Sequence, residues 1–393
     1  MPTAQPPTEY PAWEDRVIGP GPGGPGWGLW TSEPGIDTGA ETPGSAEAVA
    51  GVGTQDRQGS TATAQAEHIS AEMLRHFAHG DHNGAFQIGR EALARWHQLG
   101  RPERSCEVLI TLASACMEHE QGLEALALVR HAFVLARTRV LPATLVRTLT
   151  LMATLHGRMN DTATGEALAL QSLSRAREHH DQGAVLCALG GLLAVLLQAH
   201  ALQLTQGDAP RTEATAQRLL RHAHQALAQS PFVPNEFSDL HLRIQAGAAL
   251  MACDQVPEAM RVLRGCMEAA RRQHARVAGL WARYHTAVGT LKRGSEHAAA
   301  QALHLLLPQL HADDPPRLRL AVVGLQAEMA HVKGEVQAAH RQRAALLALH
   351  EAQALQVAQL QPTLRRSADD VLGALAVLDR EWLERGVPPA AQS

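Results

Sequence analysis

The 393 residues carry 35 Lys and Arg against 39 Asp and Glu, a formal charge of −4 with histidine neutral, which excludes wholesale binding to nucleic-acid phosphates. Aromatics are only 3%, and the predominance of Ala, Leu, Arg, Gln and His suits long helices packed through small residues. No apolar run follows the N-terminus, no segment approaches about 18 uninterrupted apolar residues, and the five cysteines form no CxxC pair, so the expectation is a chain of the reducing cytoplasm, away from membranes.

Residues 1–62 stand apart. Gly and Pro make up about a third of them, and eight acids against Arg16 and Arg57 give the segment a charge of −6. The remainder then carries +2 and all 22 histidines. A disordered acidic tail is expected here. Its Trp27-Gly28-Leu29-Trp30 cluster offers an alternative, folding back onto the body as a pseudo-ligand. Gly19, Gly21 and Gly24 spell GxGxxG, but Pro20 and Pro22 stand between them, and no strand or helix is expected beside them.

From about 64 a helical pattern starts and rarely stops. Helices are predicted near 64–78 and 82–98, 103–118 and 122–138, and 142–158 and 163–180. A longer unit follows, with helices near 183–205 and 211–229, broken at Gly207-Asp208-Ala209-Pro210. Ala184–Leu197 within it reads as a buried core helix. Three further units are expected at about 236–273, 276–311 and 316–351. Pro102, Pro142, Pro257 and Pro316 fall where a first helical turn tolerates the missing N–H. Pro308 lies inside an apolar run and predicts a kink or an end. After Pro362, Ser367 is placed to cap a last helix with Val371, Leu375, Leu378 and Trp382 on one face, a solvating end cap over 362–385. A repeat domain over 63–361 and a disordered end at 386–393 complete the expected division.

Small residues recur through these units at a 40-residue step. Ala85, Ala125 and Gly165 share one phase, and Ala259, Ala299 and Ala339 resume it; Ala113, Ala153, Gly247, Ala287 and Ala327 mark another. A fixed period of this length signals stacked helix pairs, each burying its apolar face on its neighbours. Small residues allow close approach, and a larger one would overpack the joint by about 1–3 kcal/mol.

Each unit resembles a tetratricopeptide repeat, with small residues at one point of the first helix and two of the second. The trailing second-helix point is Ala92, Ala132, Ser172 and Cys266, with Leu306 and Leu346 departing, as Met73 does on the first helix. The 40-residue step is similar to the sensory repeat segments of bacterial regulators. The resemblance covers roughly 64–352. It implies an all-α, right-handed superhelical solenoid of about seven helix-turn-helix repeats with a capping helix, whose first helices form a concave peptide-binding wall.

On that geometry the groove candidates are Glu107, Arg147 and Arg158, with Ile110 and Thr150 beside them, then His241, Trp281, Tyr284, Lys292, Glu328 and His331. A rigid aromatic beside a cation would hold an extended peptide or its carboxylate; Trp281 alternatively packs between units. His76, His79 and His82 stand three apart but straddle a predicted turn without a cysteine, and read as solvated histidines, so no metal or cofactor is expected. No P-loop, HExxH or GxSxG occurs, and no enzyme is expected. The implied role is a protein- or peptide-binding scaffold without self-evident oligomeric state; the alternative is a sensory module that binds a signalling peptide or small effector and controls a separate output protein.

Overall fold

The computed structural model describes the backbone of residues 52–230, 237–311 and 314–384. The chain divides into two units, Met1–Ala62 and Thr63–Ser393. Of the first, the described part is helical from Val52, so helix begins well before residue 64 and inside the segment expected to be disordered. The tryptophan cluster of the tail and the expected disordered end at 386–393 lie outside the described residues.

Among the described residues there are fourteen α-helices and no strand. They form seven consecutive pairs: α1 (Val52–His79) with α2 (His82–Gln98), α3 (Pro102–Glu118) with α4 (Gly122–Thr138), α5 (Pro142–Arg158) with α6 (Thr162–Glu178), α7 (Gln182–Gln206) with α8 (Ala209–Gln229), α9 (Phe237–Ala252) with α10 (Val256–Arg272), α11 (Arg276–Lys292) with α12 (Glu296–Leu306), and α13 (Pro316–Val332) with α14 (Val336–Glu384). The architecture is an all-α helical repeat solenoid. Pro308 ends α12 as expected, in a 3-10 turn over Leu307–Gln309.

The joints explain the period. Backbone φ is positive at Gly80, Gly100, Glu120, Val140, Asn160 and His180, every twentieth residue, and again at Gly207, Asp254, His274, Gly294 and Gly334. At each, the next amide donates to a carbonyl five residues back, as Asp81 N to His76 O and Gln255 N to Leu250 O do, at 3.0 and 2.9 Å. This left-handed closure satisfies orphan carbonyls and reverses the chain. The following helix starts at once, its first closing bond running from Ala85, Ala125, Gly165, Ala259, Ala299 or Ala339 back to the joint. Those small residues are buried, and at Gly165 a Cβ would stand 2.8 Å from the Ala153 carbonyl oxygen of the preceding helix.

The predicted packing positions sit in the core: Ala113, Ala153, Ala287 and Ala327 are all nearly inaccessible, as are Ala92, Ala132, Ser172 and Cys266. A Cβ on Gly247 would stand 2.9 Å from Leu263. α7 is apolar on every side and, by length and composition, could cross a membrane, with mean hydropathy 2.1; 61% of that window is buried inside the fold, where α5, α6, α8 and α9 surround it. It is a core helix, as Ala184–Leu197 predicted.

The C-terminus differs from expectation. α14 runs unbroken for 49 residues, through Pro362, a length of roughly 70 Å. Ser367 does not cap a new helix; it is fully buried within α14 with its Oγ unpartnered. Val357, Leu360, Leu364, Val371 and Leu375 are buried in the same core as the early units. Leu360 approaches Gly122 closely enough that a Cβ there would lie 2.9 Å away, and Arg130 reaches Asp370 at 3.4 Å. The helix therefore returns along α4 as a strap, where a solvating end cap was expected. The side chains of Leu378 and Trp382 lie outside the described residues.

Candidate functional site

Curvature of the stack brings distant units together. A Cβ on Gly80, at the α1–α2 joint, would stand 2.5 Å from Val277 of α11. Arg276 links the same places, its Nε donating to the His79 carbonyl at 3.4 Å and its Nη1 to Asp314 at 3.1 Å. Arg317 of α13 donates to the Arg158 carbonyl of α5 at 3.2 Å. These contacts join the first and third units to the sixth and seventh and enclose a cavity of about 740 Å³.

Every first helix, α1, α3, α5, α7, α9, α11 and α13, contributes to its wall, and α2 adds His82. The wall is largely apolar, with Leu197, Ile244 and Val288 among its residues. Trp281, Tyr284 and His285 form one cluster on α11. His285 stacks on Trp281 with centroids 5.8 Å apart, and Tyr284 meets His285 edge-on at 5.0 Å. Burial pushes the His285 pKa down to about 4 and the Tyr284 phenol up to about 12, the latter aided by Glu328.

The polar groups gather where α3, α5 and α13 meet. Arg158 pairs with Glu118 and donates to the Met117 carbonyl at 2.7 Å. Burial alone would raise the Glu118 carboxyl; the Arg158 charge and hydrogen bond outweigh it and hold it low. Burial, then the neighbouring Arg158, lowers Arg317 to about 10. Lys292 repeats the Arg158 arrangement on α11, donating to the Met251 carbonyl at 3.3 Å and to Asp254 at 2.5 Å. Arg158 and Lys292 each stand five residues after the small first-helix residue of their unit, Ala153 or Ala287.

Of the candidates, Arg158, His241, Trp281, Tyr284 and Lys292 line the cavity. Glu107 and Arg147 lie elsewhere, facing each other at 4.0 Å with Arg104 beside Glu107 at 2.9 Å. Glu328 and His331 are exposed and outside the wall. Thr150 is buried against Ser172, hydroxyl to hydroxyl at 2.7 Å, so it packs helices together. Trp281 meets both readings: it lines the cavity and packs on the cores of adjacent units.

The histidine cluster divides. His76 bonds Asp81 at 2.7 Å and His79 the Arg75 carbonyl at 2.6 Å, both near the surface. His82 is 5% exposed and neither ring nitrogen has a hydrogen-bond partner, so it is not solvated. Among the described residues no group of three or more His, Cys, Asp or Glu converges to hold a metal.

Among solved structures, the chain is similar to the crystal structure of a Rap protein complexed with competence and sporulation factor. Identity is 11%, the TM-score is 0.47, and the likeness covers 81% of this chain and 99% of that one. No protein-family model and no curated protein matches the chain. So distant a likeness carries no argument about the ligand; the cavity does.

Sequence reasoning missed Glu118, His200, His285 and Arg317, and it read His82 as solvated where it is buried. One signal was present: Glu118 and Arg158 occupy the same phase of adjacent repeats, 40 residues apart, where opposite charges meet. Nothing local marks Arg317.

Proposed function

We propose that this protein is a non-catalytic regulatory binding protein whose central cavity receives a short peptide or a ligand of similar size. The observation that carries this reading is the cavity itself: about 740 Å³, walled by the first helix of all seven units. That volume lies within the range of small-ligand sites, roughly 300–1,000 Å³, and so favours a short extended ligand over a docked helix. The wall combines an apolar surface with a few convergent polar groups, the composition of a binding pocket. The reading includes a cytoplasmic location and the absence of any chemistry of its own.

A sensory role is favoured over a passive scaffold by one feature. A ligand in the cavity touches units that are far apart in sequence but joined across it by Arg317 and Arg276. Occupancy then biases how tightly the stack closes, and the outer surface offered to a protein partner changes with it.

The test uses a pool of random pentapeptides, with retained species identified by mass spectrometry. Ala201 lines the cavity and is exposed to it, so Ala201→Trp fills space without crowding the core. Native protein should retain a defined subset, and the variant at least tenfold less. Retention unchanged by Ala201→Trp would place binding outside the cavity and end this reading.

A further inference from the structure

The first half of α14 presents an apolar stripe where the terminal repeat of a solenoid needs a polar outer face. Its inner side packs on α13: Ala339 is buried, and a Cβ on Gly324 of α13 would stand 4.0 Å from Leu346. Away from that side, Val336, Leu347 and Leu355 are 58%, 60% and 63% exposed. His340, Ala344 and Glu351 stand between them and are exposed too. With about 3.6 residues per turn, this row falls within an arc of about 100° and spans about 29 Å. A lone exposed aliphatic side chain is ordinary; three along one line, joined by an alanine, mark a surface that another protein covers.

The stripe is also complementary to its own reverse. Turned end for end about a point between Ala345 and Leu346, Val336 meets Leu355, His340 meets Glu351 and Ala344 meets Leu347. Each apolar position then faces an apolar one, and the small Ala344 leaves room for the larger Leu347 on both sides of the axis. The acid of the stripe meets its base, and a histidine offers a carboxylate an N–H in either protonation state. Arg343, three residues from His340, reinforces the basic end. Neither His340 nor Glu351 has an opposite charge three or four residues away on α14, where a pair within the helix would form. A parallel, in-register pairing would instead set Glu351 against Glu351, and like charges so placed repel.

We propose that residues 336–355 of α14 form the interface of an antiparallel homodimer, in which the stripe of one copy is covered by the same stripe of a second. The interface is isologous: a two-fold axis passes between Ala345 and Leu346, and every contact occurs twice. Specific interfaces commonly hold about 20–30 residues a side. This stripe supplies fewer, so the dimer dissociates with a constant on the order of 10 µM. None of the stripe residues lines the cavity, so association stands apart from the ligand site.

Sedimentation velocity of the full chain between about 1 and 200 µM tests this, and a monomer–dimer transition is the expected result. Leu347→Glu changes an exposed side chain, so the thermal melt should stay put while the dimer weakens by about tenfold or more. Glu351→Arg brings basic residues together and His340→Glu brings acids together, and each should weaken association severalfold. The double variant His340→Glu with Glu351→Arg exchanges the two charges and should restore association to near the native level. A chain that stays monomeric throughout the range would overturn the dimer and leave the stripe to a different protein. A dimer indifferent to Leu347→Glu would overturn it as well, since the contact would then lie elsewhere. Charge defects that the double variant fails to restore would overturn the antiparallel register. Peptide retention by the cavity is unaffected in each case.

Discussion

The run from α2 to α6 and the long helix α14 are made of the same residue types, yet they follow different rules. In the first, five helices of 17 residues alternate with three-residue joints, so the pattern returns every 20 residues and each unit touches its sequence neighbours. In the second, 49 residues pass without a joint, and the buried positions from Val357 to Leu375 pack on units more than 200 residues earlier. Local repetition builds the wall; α14 and the contacts of Arg276 with His79 and of Arg317 with Arg158 cross between distant units. The difference teaches that a solenoid becomes an enclosed site through contacts its repeat does not contain.

The regular region should break most sharply where backbone meets backbone. A Cβ on Gly165 would stand 2.8 Å from the Ala153 carbonyl oxygen and 3.0 Å from the Gly157 nitrogen, neither of which can rotate away. Gly165→Leu is expected to lower stability by about 3 kcal/mol or to prevent folding, read from the urea midpoint. In α14, Gly373 has nothing within 4 Å of a Cβ. Gly373→Ala should stabilise by up to about 1 kcal/mol through helix propensity. Equal effects at the two sites would mean that wall and strap tolerate an added side chain alike.

The strap has its own breaking point. Leu364 is 2% exposed and Leu375 is inaccessible. Leu364→Ala should cost about 2–4 kcal/mol, and the loss should be local. Amide exchange is expected to quicken along α14 first while α2 to α6 stay protected. Simultaneous loss of protection in both would mean that strap and wall fold as one cooperative unit.

How far these regions were legible in the sequence follows from the same division. The 40-residue step was visible because Ala85, Ala125 and Gly165 are buried at the start of a helix, where at Gly165 the preceding helix leaves no room for a Cβ. The 20-residue step of the joints was not, because Glu120, Val140, His180, Asp254 and His274 adopt a conformation usually advertised by glycine. Pro362 misled in the opposite direction: a proline normally marks a boundary, and here the burial of Leu360 and Leu364 on either side carries the helix through it. Arg158, Trp281 and Lys292 were found because their repeat phase faces inward. Arg317 depends on the closure that brings the third unit to the seventh, which no local pattern encodes, and His82 is buried by Phe77 and His119 on neighbouring helices.

A pH titration sharpens the comparison from inside the cavity. His285 has its folded pKa lowered to about 4 from 6.5. Between those values the unfolded chain binds the extra proton and the folded chain does not, so stability falls as pH drops through 6.5 and the loss is complete below about 4. The side chain keeps some surface open to the cavity, so we expect about 1–2 kcal/mol from this group, below the limit that the full shift would imply. His285→Phe should flatten that part of the profile in urea melts run from pH 7 to pH 4.5. Because the group faces the cavity, a ligand that further excludes water should steepen the wild-type dependence.

The smallest effect concerns the price of regularity. Val140 occupies a joint at φ 55° with half its surface exposed, a backbone state that a β-branched side chain rarely adopts. The left-handed conformation costs an L-residue roughly 1–2 kcal/mol, while glycine loses more chain entropy on folding, about 0.5–1 kcal/mol. The two nearly cancel, leaving a net gain of up to about 1 kcal/mol for Val140→Gly in the urea midpoint. At Gly100, whose φ is 62° and which has open space around it, Gly100→Val should cost a similar amount in the reverse sense. If both substitutions prove neutral, the 20-residue joint is set by helix packing, with the turn residue following passively. If they change stability in opposite directions, the joint conformation itself helps to fix the length of every unit, and with it the curvature that closes the cavity.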